Sequence, residues 1–249
     1  MVTSVAALWR HPIKGHGFEA LDRVQLTEGC TMPWDRRWAV AHDAAQPEAD
    51  GRAWAPCHNF SRGAKAPQLM AISATSDEAA GTVTLRHPQR PDLTFDPDQD
   101  AAAFLDWVRP LMPEDRAQSA RVLRAPNQGM TDSAFASISI INLASGQDLA
   151  ARLGQDLSPL RWRANIHLDG PAPWAERAWV GRTLRIGTAE LELREAIIRC
   201  RATAANPATG ARDADTLGAL QKLGHREFGL YGVVTRGGMI AVGDTAEII

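Results

Sequence analysis

Leu184-Arg185-Ile186-Gly187-Thr188-Ala189-Glu190-Leu191-Glu192-Leu193 sets alternating apolar side chains on both sides of Gly187-Thr188. Alternation around a tight glycine turn is the pattern of a hairpin with one buried face. The same signature recurs outward along the chain. Val2 to Trp9 is apolar and ends at Arg10-His11-Pro12; Val24 and Leu26 alternate with polar neighbours before Glu28-Gly29. Trp38, Val40 and His42 form another run, and Thr82 to Arg86 alternates after Gly81. Phe135 to Ile141, Arg163 to Leu168, Leu230 to Val234, Met239 to Val242 and Thr245 to Ile249 are further predicted strands. Many short strands broken by Gly and Pro predict a barrel or a strongly curved sheet.

Helical signals are fewer. Asp96-Pro97 reads as a helix entry, aspartate at the N-cap and proline in the first turn, with Ala102, Leu105, Trp107 and Val108 as the apolar face and Pro110 as the stop. Ser145 to Leu153 precedes Gly154, and Asp213 to Leu223 places apolar residues at 217, 220 and 223 before Gly224. Residues 44–67 carry Pro47, Gly51, Pro56, Gly63 and Pro67 with little periodicity, so they read as a long excursion. Leu111-Met112-Pro113-Glu114-Asp115 marks a boundary near residue 118. The predicted class is α+β and β-rich: an N-terminal β-barrel-like domain over 1–118 and a second β-barrel domain over 119–249, decorated by short helices.

A length of 249 residues suffices for one large or two modest cores. The net charge of −2 provides no global field to recruit nucleic acid or an anionic membrane, although Arg161, Arg163, Arg199 and Arg201 are free to converge locally. Three cysteines without a CxxC pair argue against a disulfide framework or structural zinc. The N-terminus is a poor signal peptide, and no window approaches a membrane span, so a cytoplasmic protein is expected.

Chemistry concentrates at Arg199-Cys200-Arg201, followed by Thr203 and Asn206-Pro207-Ala208-Thr209-Gly210. Adjacent cationic charge favours a thiolate, which is both a nucleophile and a soft metal ligand. The bland alternative is a buried thiol without a role. Cys30 and Cys57 have no comparable surroundings in sequence. The seven histidines show no metal-ligand spacing, Gly-x-Ser-x-Gly is absent, and Asp96, Asp98 and Asp100 suit a helix entry better than a calcium loop.

Several blocks, in order, resemble the MOSC superfamily, named for the C-terminal part of molybdenum-cofactor sulfurases. Within it the chain resembles the group that includes the mitochondrial amidoxime-reducing component. They are His11-Pro12-Ile13-Lys14-Gly15, Asp35-Arg36-Arg37-Trp38, Arg161-Trp162-Arg163-Ala164-Asn165-Ile166 with Asp169-Gly170 and Trp174, Gly181 to Gly187, Arg199-Cys200 through Gly210, and Tyr231-Gly232 with Val242-Gly243-Asp244. Gly15, Ala164 and Asn206 depart from the family's serine, proline and aspartate. The resemblance implies an N-terminal MOSC-type β-barrel and a MOSC domain that binds molybdenum cofactor (Mo-molybdopterin). Cys200 is then the metal's protein ligand and catalytic centre, with Lys14, Arg36, Arg163, Asn165, Arg199 and Thr203 as cofactor-binding residues.

For each of these the plain reading stays open: a surface-paired arginine, a strand-end lysine, a turn asparagine, a loop-bracing threonine. The implied activity is reduction of N-hydroxylated or N-oxygenated small molecules. Electrons would come from an external electron-transfer protein, since no ferredoxin-like extension follows Ile249. The rival readings are a sulfur-carrier or cofactor-binding module without turnover, and a domain that has lost the cofactor. No nucleic-acid partner and no membrane span are expected.

Overall fold

In the computed structural model, residues 2–126 and 128–249 are described. The strands and helices run β1 (Ser4–Arg10), β2 (Glu19–Leu21), β3 (Arg23–Leu26), β4 (Trp38–His42), β5 (Ser73–Asp77), β6 (Thr82–His87), β7 (Arg90–Phe95), α1 (Ala101–Val108), β8 (Ser119–Arg124), β9 (Ile138–Asn142), α2 (Leu143–Leu153), β10 (Ile166–Asp169), β11 (Thr183–Ile186), β12 (Ala189–Ile198), α3 (Thr216–Lys222), β13 (Glu227–Arg236), β14 (Gly238–Ala241) and β15 (Ala246–Ile248). This is the strand-rich α+β class the sequence predicts.

The opening hairpin forms as read: Leu184 faces Leu191 and Ile186 faces Ala189 across a turn in which Gly187 takes φ +57°. It belongs to a sheet of order β15-β11-β12-β13-β9-β10-β1-β2. That sheet closes on itself, because Ser4 bridges Thr245, Val5 N–H donates to Asp244 O, and Ala246 N–H donates to Thr3 O. Closure satisfies the edge groups of β1 and β15 that would otherwise face solvent. Alternate residues fill the interior: Val5, Leu8, Ile138, Ile140, Ile166, Leu168, Leu184, Leu191, Leu193 and Leu230 share one core. β9 and β10 run parallel, which demands a crossover, and α2 supplies it. Leu149 of α2 and Leu220 of α3 pack with Ile141, Trp162 and Phe228 outside the barrel.

β4 is buried on both faces, and its sequence says how. Trp38 and Val40 enter a core with Leu69, Ile72, Val83, Leu85, Phe95 and Phe104, whereas Ala39 and Ala41 enter another with Phe60 and Met130. Bulk on one side and methyl groups on the other let the 44–60 excursion lie close against the strand. β5, β6 and β7 form a meander and β4 pairs with β8. Pairing crosses residue 118 in both directions: β1 joins β10, β3 joins β14, and β8 returns to β4.

Three local expectations are corrected. Asp96-Pro97 makes a turn rather than the helix start: Asp98 N–H donates to Asp96 Oδ1, and the helix begins at Ala101 behind Asp100. An aspartate side chain that captures its own backbone two residues on favours a turn over an entry. The strand read from Arg163 begins only at Ile166. Pro159 opens a 3-10 turn over Pro159–Trp162, and Arg163, at φ +47°, ends it in the left-handed region. The strand read from Phe135 likewise begins at Ile138. No helix among the described residues is long and apolar enough to cross a membrane.

Candidate functional site at the junction of the β units

The site is assembled where the segment after β1 meets the loops of the closed barrel. Lys14 N–H donates to Trp38 O and Trp38 N–H donates to Pro12 O, which ties the His11-Pro12-Ile13-Lys14 segment to β4. Gly15 follows at φ +79°, and a Cβ there would lie 2.5 Å from Ser61 O. Glycine at the family's serine position is thus required by this backbone. Lys14 is buried, and Nζ donates to Met130 O (2.9 Å), Thr131 O (3.1 Å) and Asp132 Oδ1 (2.5 Å). An ammonium has three protons, so all of Lys14's donor capacity holds the 130–132 loop.

Arg36, at φ +49°, reaches across the junction. Nη1 donates to Asp35 Oδ2 and, at 3.3 Å, to Asn165 Oδ1; Nη2 donates to Arg163 O at 2.9 Å. Burial would raise the Asp35 pKa, but the Arg36 charge and the hydrogen bond with His11 hold it well below the usual carboxylate range. His11 is kept neutral, by burial first and then by the charges of Arg163 and Arg36. Arg36 is therefore Asp35's ionic partner.

Asn165 is 1% exposed. Its Oδ1 accepts from Ser139 N–H (3.0 Å), Ser139 Oγ (2.7 Å) and Arg36, while Nδ2 donates to Trp9 O (3.1 Å). With a longer contact from Nδ2 to Met32 Sδ at 3.9 Å, the amide forms a strut joining β1, β9 and the 163–165 turn. Thr203 is engaged within the protein as well: its buried hydroxyl donates to Cys200 O (3.1 Å) and pairs with Thr216 Oγ1 (2.6 Å). It braces the loop after the cysteine. Arg161 donates from Nη1 to Ala204 O and from Nη2 to Asp213 Oδ1, its buried Nε lacking a partner among the described residues. Asp213 gives it a counter-charge that Arg163 and Arg199 do not have.

Arg163 and Arg199 differ from all of these. Arg163 Nη2 donates to Gly17 O at 3.0 Å, but buried Nη1 has no protein partner among the described residues. Arg199 Nε donates to Phe228 O (2.8 Å) and Nη1 to Trp162 O (2.7 Å), its guanidinium lying over both rings, and buried Nη2 has no partner. Neither forms an ion pair among the described residues. Burial, then the Arg36 charge, pushes Arg163 down to about 9, and burial pushes Arg199 down to about 10. Both stay cationic at neutral pH, so one buried charge and one half-buried charge have no ion-pair partner among the described residues.

Cys200 is exposed and in extended backbone just before a 3-10 turn, not walled off behind apolar packing. Three neighbours were missed in the sequence. Asp132 exposes 61% of its side chain yet is surrounded closely enough that burial works to raise its pKa; the charge and hydrogen bond of Lys14, with Arg36 and Arg163, overcome that and lower it to about 2. Cys57, whose Sγ accepts from Arg62 Nη1 at 2.9 Å, has its thiol pKa raised by burial and then by Asp132, and senses Cys200. Tyr231, the chain's single tyrosine, has its phenol pKa raised by burial and Asp132. Its place in the Tyr231-Gly232 block is the signal that could have assigned it a role; Asp132 and Cys57 carry no local signal.

The arrangement suits an anion carrying several acceptor atoms beside an accessible thiol. Among the described residues no group of three or more His, Cys, Asp or Glu side chains is placed to hold a metal ion.

The "MOSC domain" family matches residues 127–247, and the "MOSC N-terminal beta barrel domain" family matches residues 2–119. "Mitochondrial amidoxime-reducing component 1" of Mus musculus is 25% identical over 299 aligned positions, covering 100% of this chain and 83% of that protein. Among solved structures, the YUAD protein from Bacillus subtilis is similar at a TM-score of 0.49 and 13% identity, over 100% of this chain and 96% of that one. YiiM from Geobacillus stearothermophilus is similar at a TM-score of 0.34 and 18% identity, over 45% of this chain and 53% of that one. The two family matches follow one another along almost the whole sequence and take in the Lys14, Arg163 and Cys200 blocks alike: the chain belongs to the MOSC family.

Proposed function

We propose that this protein is a molybdenum-cofactor oxidoreductase that reduces N-hydroxylated or N-oxygenated small molecules with electrons from an external carrier protein, in a cytoplasmic setting. MOSC domains are associated with molybdenum-cofactor binding. The observation that carries the reading is a pair of arginines, Arg199 buried and Arg163 half-buried, neither in an ion pair and each with a buried N–H lacking a partner among the described residues, Arg199 being next to the exposed Cys200. Leaving buried cations unpaired costs several kcal/mol each, a cost that an anionic group with phosphate and pterin acceptors would offset.

Cys200 would provide the sulfur ligand, and Arg163 Nη1 and Arg199 Nη2 would receive the anion. Lys14 and Arg36 add positive field, while their donors hold the protein together. Asn165 and Thr203 position the strand and the loop that carry these groups. The bound cofactor would supply the two-electron, oxygen-accepting chemistry. Tyr231, protonated at neutral pH and close to Asp132, Arg199 and Arg36, holds a proton for delivery to a leaving oxygen.

The exposure of Cys200 also suits a sulfur-carrier module, in which the thiol holds a persulfide. Protein from a cofactor-competent host, assayed for benzamidoxime reduction with an artificial donor, separates the two. Turnover that tracks molybdenum content supports the reductase. Molybdenum without turnover, or Cys200 persulfide in its place, supports the carrier.

A further inference from the structure

Most exposed arginines here stand within ion-pair distance of a carboxylate, as Arg52, Arg86, Arg109, Arg152 and Arg236 do, whereas Arg23, Arg121, Arg182 and Arg226 each stand without one among the described residues. Around Cys200 that habit fails. Arg62, Lys65, Arg201 and Arg212 form no ion pair among the described residues, although Lys65, Arg201 and Arg212 are exposed and Arg62 is half-buried. They gather on one rim. Arg201 and Arg212 line a single cavity of about 420 Å³. Arg212 Nη2 donates to Ala64 O (3.0 Å), beside Lys65. A Cβ on Gly63 would touch Ala202 at 3.4 Å, and Arg62 holds Cys57, which senses Cys200. Asp213 and Asp215 share the cavity of Arg201 and Arg212, but Asp213 is held by Arg161 and Asn206 and Asp215 accepts from Gly218 N–H, so the four cations outnumber carboxylates already committed elsewhere. The residual positive charge repels itself, a cost worth keeping only if something negative settles over it.

A second feature shares this rim. Ile198 is 72% exposed, the buried Arg199 follows, and Cys200 is exposed again. Alternation along extended chain puts Ile198 and Cys200 on the same side. Ile198 faces Glu227 across β12 and β13 and lies two residues from the thiol and three from Arg201. A large apolar side chain in water beside a charged border has the composition of a protein-docking patch.

Resting on the reductase reading above, we propose that Arg62, Lys65, Arg201 and Arg212, with Ile198 beside them, form the docking surface for the acidic face of the electron-carrier protein. A small anion fits less well, because Asp213 and Asp215 also line the cavity between Arg201 and Arg212. Nucleic acid fits less well too: the exposed large apolar residues among those described include no aromatic ring for base stacking, and the net charge is −2.

The test uses molybdenum-loaded protein and the double variant Lys65→Glu with Arg212→Glu; among the described residues the Lys65 side chain makes no hydrogen bond and Arg212 makes one, to Ala64 O, and circular dichroism checks the fold. The probes are a flavodoxin and a plant-type ferredoxin as acidic carriers, cytochrome c as a basic one, and a single-stranded RNA oligomer. Binding is measured by calorimetry from about 50 to 300 mM salt, where screening separates charge-driven association. An acidic carrier is expected to bind the parent protein and to weaken with salt. The double variant should bind about tenfold more weakly, while its turnover with an artificial donor stays at the parent's level. Failure of both acidic carriers to bind, equal binding of cytochrome c, unchanged affinity in the variant, or tighter binding of the RNA overturns the proposal. Absence of turnover with the artificial donor in the parent protein would remove the reductase reading instead, and the binding comparison decides the surface independently.

Discussion

Arg199→Met separates a binding arginine from a structural one. The parent protein holds the guanidinium buried and pushed down to about 10 by that burial, with no carboxylate partner. The gap from the ordinary guanidinium value corresponds to about 3 kcal/mol set against the charged form. Because the folded pKa is depressed, this penalty is present in full below pH 10 and is relieved only as pH rises past that value. Methionine removes it. The substitution also removes donors to Phe228 O and Trp162 O, at about 1–3 kcal/mol for each buried carbonyl left unsatisfied. The terms largely offset, so cofactor-free variant and parent should differ by no more than about 3 kcal/mol in urea unfolding, at or below the low end of the about 3–5 for breaking a buried ion pair. Inorganic phosphate, added as an anion probe, should stabilise the parent, by about 1.4 kcal/mol at ten times its dissociation constant. The variant should lose most of that stabilisation. A loss of 4 kcal/mol or more in the cofactor-free variant, or an undiminished phosphate effect, would refute the assignment.

Three further outcomes follow from the same geometry. His16 and His167 are buried with pKa values lowered to about 4, by burial first, so each binds its proton more readily when unfolded. Each should therefore take away about 3 kcal/mol as pH falls from about 6.5 to 4, and acid unfolding of the parent that begins only below pH 4 would contradict this. Gly15→Ser, which restores the family's residue, should cost about 1–3 kcal/mol, because a side chain at φ +79° would also strike Ser61 O; urea unfolding with an unchanged midpoint would contradict the backbone drawn for this turn. Asn165→Ala strips partners from Ser139, Arg36 and Trp9 and should destabilise by about 3–5 kcal/mol. Lowered cofactor affinity with an unaltered urea midpoint would return Asn165 to the binding set.

Elements set by local pattern were legible in the chain. The 184–193 hairpin, the helix stopped by Gly154 and the buried run at Trp38 each follow from periodicity and turn chemistry over a few residues. Barrel closure was not, because the pairing of Ser4 with Thr245 spans nearly the entire chain and leaves no local trace. At the site, the residue types were legible but their commitments were not. Nothing near Lys14 in sequence reveals that Met130, Thr131 and Asp132 take its three protons. Nothing near Asn165 reveals that Ser139 and Trp9 will engage its amide. Arg163 was read as strand because a left-handed arginine has no propensity signature; Pro159 and the turn it starts put it there.

The central claim is that Cys200 holds a metal by its sulfur. Protein and its Cys200→Ala variant, both produced in a host that makes molybdenum cofactor, should be compared for molybdenum and pterin content after gel filtration, with urea unfolding in parallel. Near-stoichiometric molybdenum in the parent, its loss in the variant, and unfolding midpoints matching within about 0.5 kcal/mol, as suits an exposed side chain, are the expected results. Equal molybdenum in both proteins, or none in either, would contradict the account.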